Sequence, residues 1–193
     1  MSTLGVLALQ GGFRAHSQML RSLGHEVIEV RKPKDLEALE GLVLPGGESS
    51  TQLKMLDYME MREPLLRSLR SGLPVLATCA GLILLAKKVT NPAQDSLNVL
   101  DLHVARNAWG RQLDSFEATA DQSGFPLVFI RAPRIQSTGQ KIQVLETYQG
   151  EAVMVQQGNI YAATFHPEWT EDASIHIQIF GTASAPNQAA QAA

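Results

Sequence analysis

The chain opens on an unbroken apolar run, Leu4-Gly5-Val6-Leu7-Ala8-Leu9, the pattern of a strand buried on both faces. Gln10-Gly11-Gly12 ends it as a loop. A helix is predicted over 14–23, with Gly24 as the residue just past its end. Strands follow over 26–30, 41–44 and 74–78, the second ended by Pro45-Gly46-Gly47. Ser49 or Ser50 is the expected cap of the next helix, another helix covers 62–70 and stops at Gly72, and 81–88 reads as a helix with a basic last turn. This alternation predicts an α/β fold: a mostly parallel sheet with helices on both faces, its ligand outside the carboxyl ends of the strands.

The second half has a different rhythm. Strands are predicted over 98–106, 112–120, 127–130, 142–147, 152–156 and 160–165, joined by short turns, with Gln157-Gly158-Asn159 as a hairpin connection. They are expected to form antiparallel edge strands and a smaller ribbon layer. A last short helix is predicted over 172–180. No repeat or linker interrupts the pattern, so 1–180 reads as one domain and the Ala/Gln-rich segment 181–193 as a disordered tail.

Composition narrows the function classes. A chain of 193 residues buries enough surface to need no metal or disulfide staple. The net charge is −3 without a basic run, which argues against nucleic acid as a partner. No apolar run approaches the ~18 residues of a membrane helix, and the first residues lead straight into a strand, so no signal peptide is expected. A single cysteine fits a reducing, cytoplasmic setting.

That cysteine, Cys79, falls at the turn between the 74–78 strand and the next helix. Such a turn lifts a side chain out of the sheet, as in nucleophile elbows, and a thiolate there is a nucleophile. A small buried hydrophobe is the alternative reading of the same residue. His166-Pro167-Glu168 follows a strand and supplies what a cysteine nucleophile needs: a base, and a carboxylate to orient it. Pro167 stiffens the exit, and in an extended stretch His166 and Glu168 share a face. Gly47 N–H and Ala80 N–H are candidates to converge on an oxyanion. Arg106 and Arg131 each follow an apolar strand and suit bidentate capture of a carboxylate. His16, His25, His103 and His176 show no metal-ligand spacing and read as structural or surface residues, so neither metal nor cofactor is expected.

The strings Leu7-Ala8-Leu9-Gln10-Gly11, Leu44-Pro45-Gly46-Gly47-Glu48-Ser49, Thr78-Cys79-Ala80-Gly81-Leu82-Ile83, Arg106-Asn107, Gly110-Arg111-Gln112, Phe129-Ile130-Arg131-Ala132-Pro133 and Phe165-His166-Pro167-Glu168 together resemble one family. It is that of the glutaminase subunits of pyridoxal 5′-phosphate synthase, which are class I (triad) glutamine amidotransferases. The resemblance implies a flavodoxin-like three-layer α/β/α sandwich and hydrolysis of L-glutamine to glutamate and ammonia. Cys79 would be the nucleophile, His166 the general base and acid, and Glu168 the orienting carboxylate. Gly47, Glu48, Ser49, Arg106, Ile130 and Arg131 would bind glutamine. The implied partner is a (β/α)8-barrel synthase that receives the ammonia for vitamin B6 synthesis in a complex of twelve copies of each subunit, with the glutaminase poorly active until it docks. The chain departs from the family at Ala77, where glycine is usual, and at Ala108 and Trp109. Ala77 is expected to strain the elbow if its φ is positive. A glutaminase serving another synthase, and a non-catalytic flavodoxin-like binding module, are the rival readings.

Overall fold

The computed structural model describes residues 1–108 and 115–183. In chain order the strands and helices are β1 Thr3–Leu7, α1 Phe13–Ser22, β2 Glu26–Val30, β3 Gly41–Leu44, α2 Ser49–Tyr58, α3 Arg62–Arg70, β4 Val75–Thr78, α4 Ala80–Leu85, β5 Ala86–Thr90, β6 Leu100–Ala105, β7 Phe116–Thr119, β8 Pro126–Phe129, β9 Arg134–Thr138, β10 Gln143–Tyr148, β11 Glu151–Gln157, β12 Ile160–Ala163 and α5 Ser174–Phe180.

The main sheet runs β10-β11-β12-β4-β3-β1-β2. The strands from β12 to β2 are parallel, and β11 and β10 add an antiparallel edge. Side chains of a strand alternate between faces, and the core divides accordingly. Leu42, Leu44, Val75 and Ala77 point to one side with Leu53, Leu56, Leu65 and Leu69 of α2 and α3. Leu4, Val6, Val43 and Leu76 point to the other with Leu20 of α1 and Ile175 of α5. The result is a flavodoxin-like three-layer sandwich, as expected. Two smaller sheets flank it, β5-β6-β9 and the ribbon β7-β8. The ribbon lends Leu127 and Phe129 to the second core, and Val128 O accepts the backbone N–H of His166 at 2.8 Å.

Three local readings are corrected. The cap of α2 is neither Ser49 nor Ser50 but Glu48, whose carboxylate accepts from the backbone N–H groups of Ser50 and Thr51. The helix predicted over 81–88 ends at Leu85, and Lys87 and Lys88 lie in β5. Ala77 is a regular residue of β4, paired with Leu44 and Ala162, and its φ is not positive, so the backbone condition for strain does not arise. β5 and β9 were not anticipated as separate strands. Trp109, Gly110, Arg111 and Gln112 lie outside the described residues, as does most of the expected tail.

Candidate active site

Cys79 leaves β4 with φ 47 and ψ −100, the strained left-handed turn that presents a side chain at the head of a following helix. Two backbone bonds hold it there. Its N–H donates to Ala163 O at 2.8 Å, and its carbonyl accepts from Ile83 N–H at 3.1 Å. β12 lies beside β4 in parallel, with Ala163 opposite Thr78. The chain then delivers His166 at the same sheet edge, three residues past the end of β12. Pro167 opens a 3-10 turn that folds Glu168 back under the ring, and His166 Nδ1 meets Glu168 Oε1 at 2.8 Å.

Cys79 lies on the other side of the ring, and both side chains line one cavity. Burial disfavours the charged ring, but the interactions with Cys79 and Glu168 outweigh it and raise the pKa to about 10. Burial likewise opposes the Glu168 carboxylate; the neighbouring His16 and then His166 overcome it and hold the carboxyl well below its ordinary range. The three groups sit as a thiol, an imidazole able to carry its proton, and a buried anion that orients the ring.

Cys79 and His166 line a cavity of about 240 Å³. Its wall also holds Gly47, Glu48, Ser49, Arg106, Ile130 and Arg131, so the predicted glutamine-binding residues converge on one pocket. Ala80 is not among the residues lining the cavity; what it offers, at the head of α4, is its backbone. Its N–H, the first of α4, has no intrahelical acceptor, and neither it nor Gly47 N–H carries a protein hydrogen bond among the described residues. The Gly46–Gly47 turn is held from behind, because Gly46 O accepts from Gly12 N–H at 2.9 Å. Glu48 N–H donates to the Gln10 side chain at 2.8 Å, and Gln52 Nε2 donates to both Gln10 O and Pro45 O. The two loops are thus joined within the single chain. A side chain at Gly46 would run into the His166 ring and stand 3.4 Å from Cys79 Cβ, so the turn passes the triad only as bare backbone.

The two arginines are not equivalent. Arg106 donates to Glu48 Oε1 at 2.8 Å and is mostly buried. Burial of Glu48 is offset by hydrogen bonds from Ser50 and Thr51, and its pKa falls to about 2. Glu48 therefore sits in the pocket as helix cap and as the anchor of Arg106. Arg131 follows β8 with φ 45, is exposed at the rim, and makes no ion pair or hydrogen bond among the described residues. It is the cation left open to a carboxylate. Trp169, 59% exposed, also lines the pocket; it follows the triad carboxylate directly, and no pattern in the sequence distinguished it. Among the described residues no group of His, Cys, Asp and Glu could hold a metal ion, and no helix is long and apolar enough to cross a membrane.

Comparison with known proteins agrees with this geometry. The model of the SNO glutamine amidotransferase family matches residues 6–182. Pyridoxal 5′-phosphate synthase subunit PdxT of Thermotoga maritima is 48% identical over 178 residues, covering 90% of this chain and 95% of that protein. The protein of the same name from Koribacter versatilis is 50% identical over 177 residues, 90% of this chain and 91% of its own length. A crystal structure of a glutamine amidotransferase superposes with a TM-score of 0.85 at 42% identity, covering 91% of this chain and 96% of that one. The structure of PurLQS from Thermotoga maritima, 15% identical with a TM-score of 0.62, shares the fold. With a match that spans the sheet, the elbow and the His-Pro-Glu exit, the chain belongs to the SNO glutamine amidotransferase family.

Proposed function

We propose that this chain hydrolyses L-glutamine to L-glutamate and ammonia, and hands the ammonia to a synthase subunit for pyridoxal 5′-phosphate synthesis. The observation that carries the reading is the Cys79–His166–Glu168 arrangement at the floor of a pocket rimmed by arginine. The names of the relatives supply the synthase.

Cys79 Sγ attacks the side-chain amide carbon, and its proton rests on His166. The tetrahedral oxyanion is held by the N–H groups of Gly47 and Ala80. The C–N bond breaks as His166 protonates the nitrogen, and ammonia leaves a γ-glutamyl thioester. Water then adds with His166 taking its proton, the C–S bond breaks, and glutamate departs with the thiol restored. Glu168 keeps the ring oriented and its charge balanced throughout. Arg131 and Arg106 hold the α-carboxylate, with Ser49, Ile130 and the Glu48 cap shaping the pocket. The partner is read as a (β/α)8-barrel subunit in a complex of twelve copies of each, working in the cytoplasm with 1–180 of this chain as one amidotransferase domain. The direct test is ammonia release from glutamine by the purified chain, alone and with the synthase; no release in either setting would contradict the reading.

Arg131→Ala and Arg106→Ala are expected to raise KM by roughly 10- to 100-fold, the worth of a charge-assisted contact, with smaller losses in kcat. A carboxylate clamp remote from the reacting amide binds ground state and transition state alike. Steady-state kinetics check this, and an unchanged KM with a collapsed kcat would contradict the clamp.

Docking is expected to raise kcat by roughly 10²-fold, the worth of one oxyanion donor. Glycine at 46 and 47 gives that peptide two routes, and Gly12 N–H is the group that now holds one of them. Equal kcat with and without excess synthase would rule this activation out.

A further inference from the structure

Beneath Glu168 lies a second histidine that the triad does not account for. His16 sits on the inward face of α1, one turn from Leu20, and is fully buried. Its Nε2 stands 3.2 Å from Glu168 Oε2 and 3.2 Å from Thr78 Oγ1. Its Nδ1 meets Nε2 of His176, from α5 and equally buried, at 2.9 Å. Thr78 Oγ1 in turn accepts from Gly46 N–H at 3.0 Å.

The protons in this cluster can be placed by elimination. Glu168 Oε1 is taken by His166, while Oε2 is buried and has no well-angled hydrogen bond. The Nε2 of His16 faces it off-axis, pointing nearer to Thr78. A lone pair on that nitrogen would set two acceptors against each other at 3.2 Å with nothing to compensate a buried anion, which is a costly arrangement. A proton there serves both oxygens. With Nε2 protonated in the neutral ring, Nδ1 accepts from His176 Nε2–H. His176 then keeps a bare Nδ1, and that atom is buried with no hydrogen-bond partner. The reversed order would bury an unpaired N–H instead. His176 favours the neutral form, since its burial pushes its pKa down to about 3.

We propose that His16 is a positioning residue for the triad: its Nε2–H fixes Glu168 as the charged, correctly turned partner of His166, and His176 fixes the tautomer of His16. Through Thr78 the same ring braces the Gly46 turn. The proposal rests on the glutaminase reading for its kinetic consequence, but not for its structural one. The groups packed on this cluster are His16 from α1, Thr78 and Cys79 from the end of β4, Gly46 from the β3 turn, His166 and Glu168 from the β12 exit, and His176 from α5.

The discriminating pair is His16→Gln and His16→Asn. Glutamine reaches far enough to set an amide N–H where Nε2 was; asparagine does not. His16→Asn is expected to lower kcat by roughly 10- to 100-fold, as loss of an orienting partner does, with KM within threefold. Glu168 would then favour its anion less, His166 would lose that support, and its proton would leave at a pH lower by about one unit, a tenfold change. His16→Gln is expected to keep both values near wild type. Ring resonances of His166 in the isotope-labelled chain read the titration without any substrate. Equal behaviour of the two variants, whether both intact or both impaired, would overturn the proposal. Wild-type protein that fails to hydrolyse glutamine, with the expected split in His166 titration, would sink the glutaminase reading and leave the positioning role standing.

Discussion

Cys79→Ala is expected to abolish glutamine hydrolysis while leaving the fold intact, with a rate loss of roughly 10³- to 10⁶-fold. The chain has one cysteine, and no second thiol can take over. The substitution should also be mild for stability. The side chain faces the pocket beside His166, and its hydrogen bond to Ile130 O is long, at 3.9 Å, while the backbone bonds to Ala163 and Ile83 that shape the elbow do not involve the sulfur. Ammonia release by the folded variant at a near wild-type rate would remove Cys79 from the mechanism. An unfolded variant would show instead that the strained turn at φ 47 depends on the side chain.

His166→Asn is expected to be nearly as damaging, and Glu168→Gln less so, at roughly 10²- to 10⁴-fold. The ring moves two protons per turnover, whereas the carboxylate only holds the ring and balances its charge. Asparagine can fill space beside Glu168 but cannot receive a proton from the thiol. Glutamine at 168 can still meet Nδ1, yet it removes the anion that helps keep His166 protonated up to about 10. Single-turnover acylation of Cys79 by glutamine separates these cases. Normal acylation in the His166 variant would mean that another group takes the proton.

Much of this site was legible in the residues because its signals are local. A cysteine between an apolar strand and an apolar helix, and a His-Pro-Glu run at a strand exit, each state their geometry within a few positions. The parallel core was equally plain, since β1 and β3 are short apolar runs ended by turn residues. What stayed hidden depends on distance or on competition. Lys87 and Lys88 looked like a helix end because six helical residues are too few to show a period, and the chain turns extended at Ala86. Serine is the usual cap, but the longer Glu48 reaches the same N–H groups and engages Arg106 as well, a partner 58 positions away. His16 and His176, separated by 160 positions, show no spacing that links them; only packing makes them neighbours.

The pairing of β12 with β4 has a consequence for how this chain can vary in length. Cys79 and His166 each stand just beyond one of two adjacent strands, in a register that sets Val75 opposite Ile160 and Thr78 opposite Ala163. One added or lost residue in either strand would advance its end by about 3.3 Å and turn every following side chain to the opposite layer. Nucleophile and base would part by more than a hydrogen bond spans, although the sheet itself could still close. Tolerance to insertion and deletion along this chain is therefore set by chemistry in these two strands and by folding elsewhere. Drift in length is compatible with a working site at the Gly158-Asn159 hairpin or in the flanking ribbons, and incompatible with it between residues 75 and 79 or between 160 and 166.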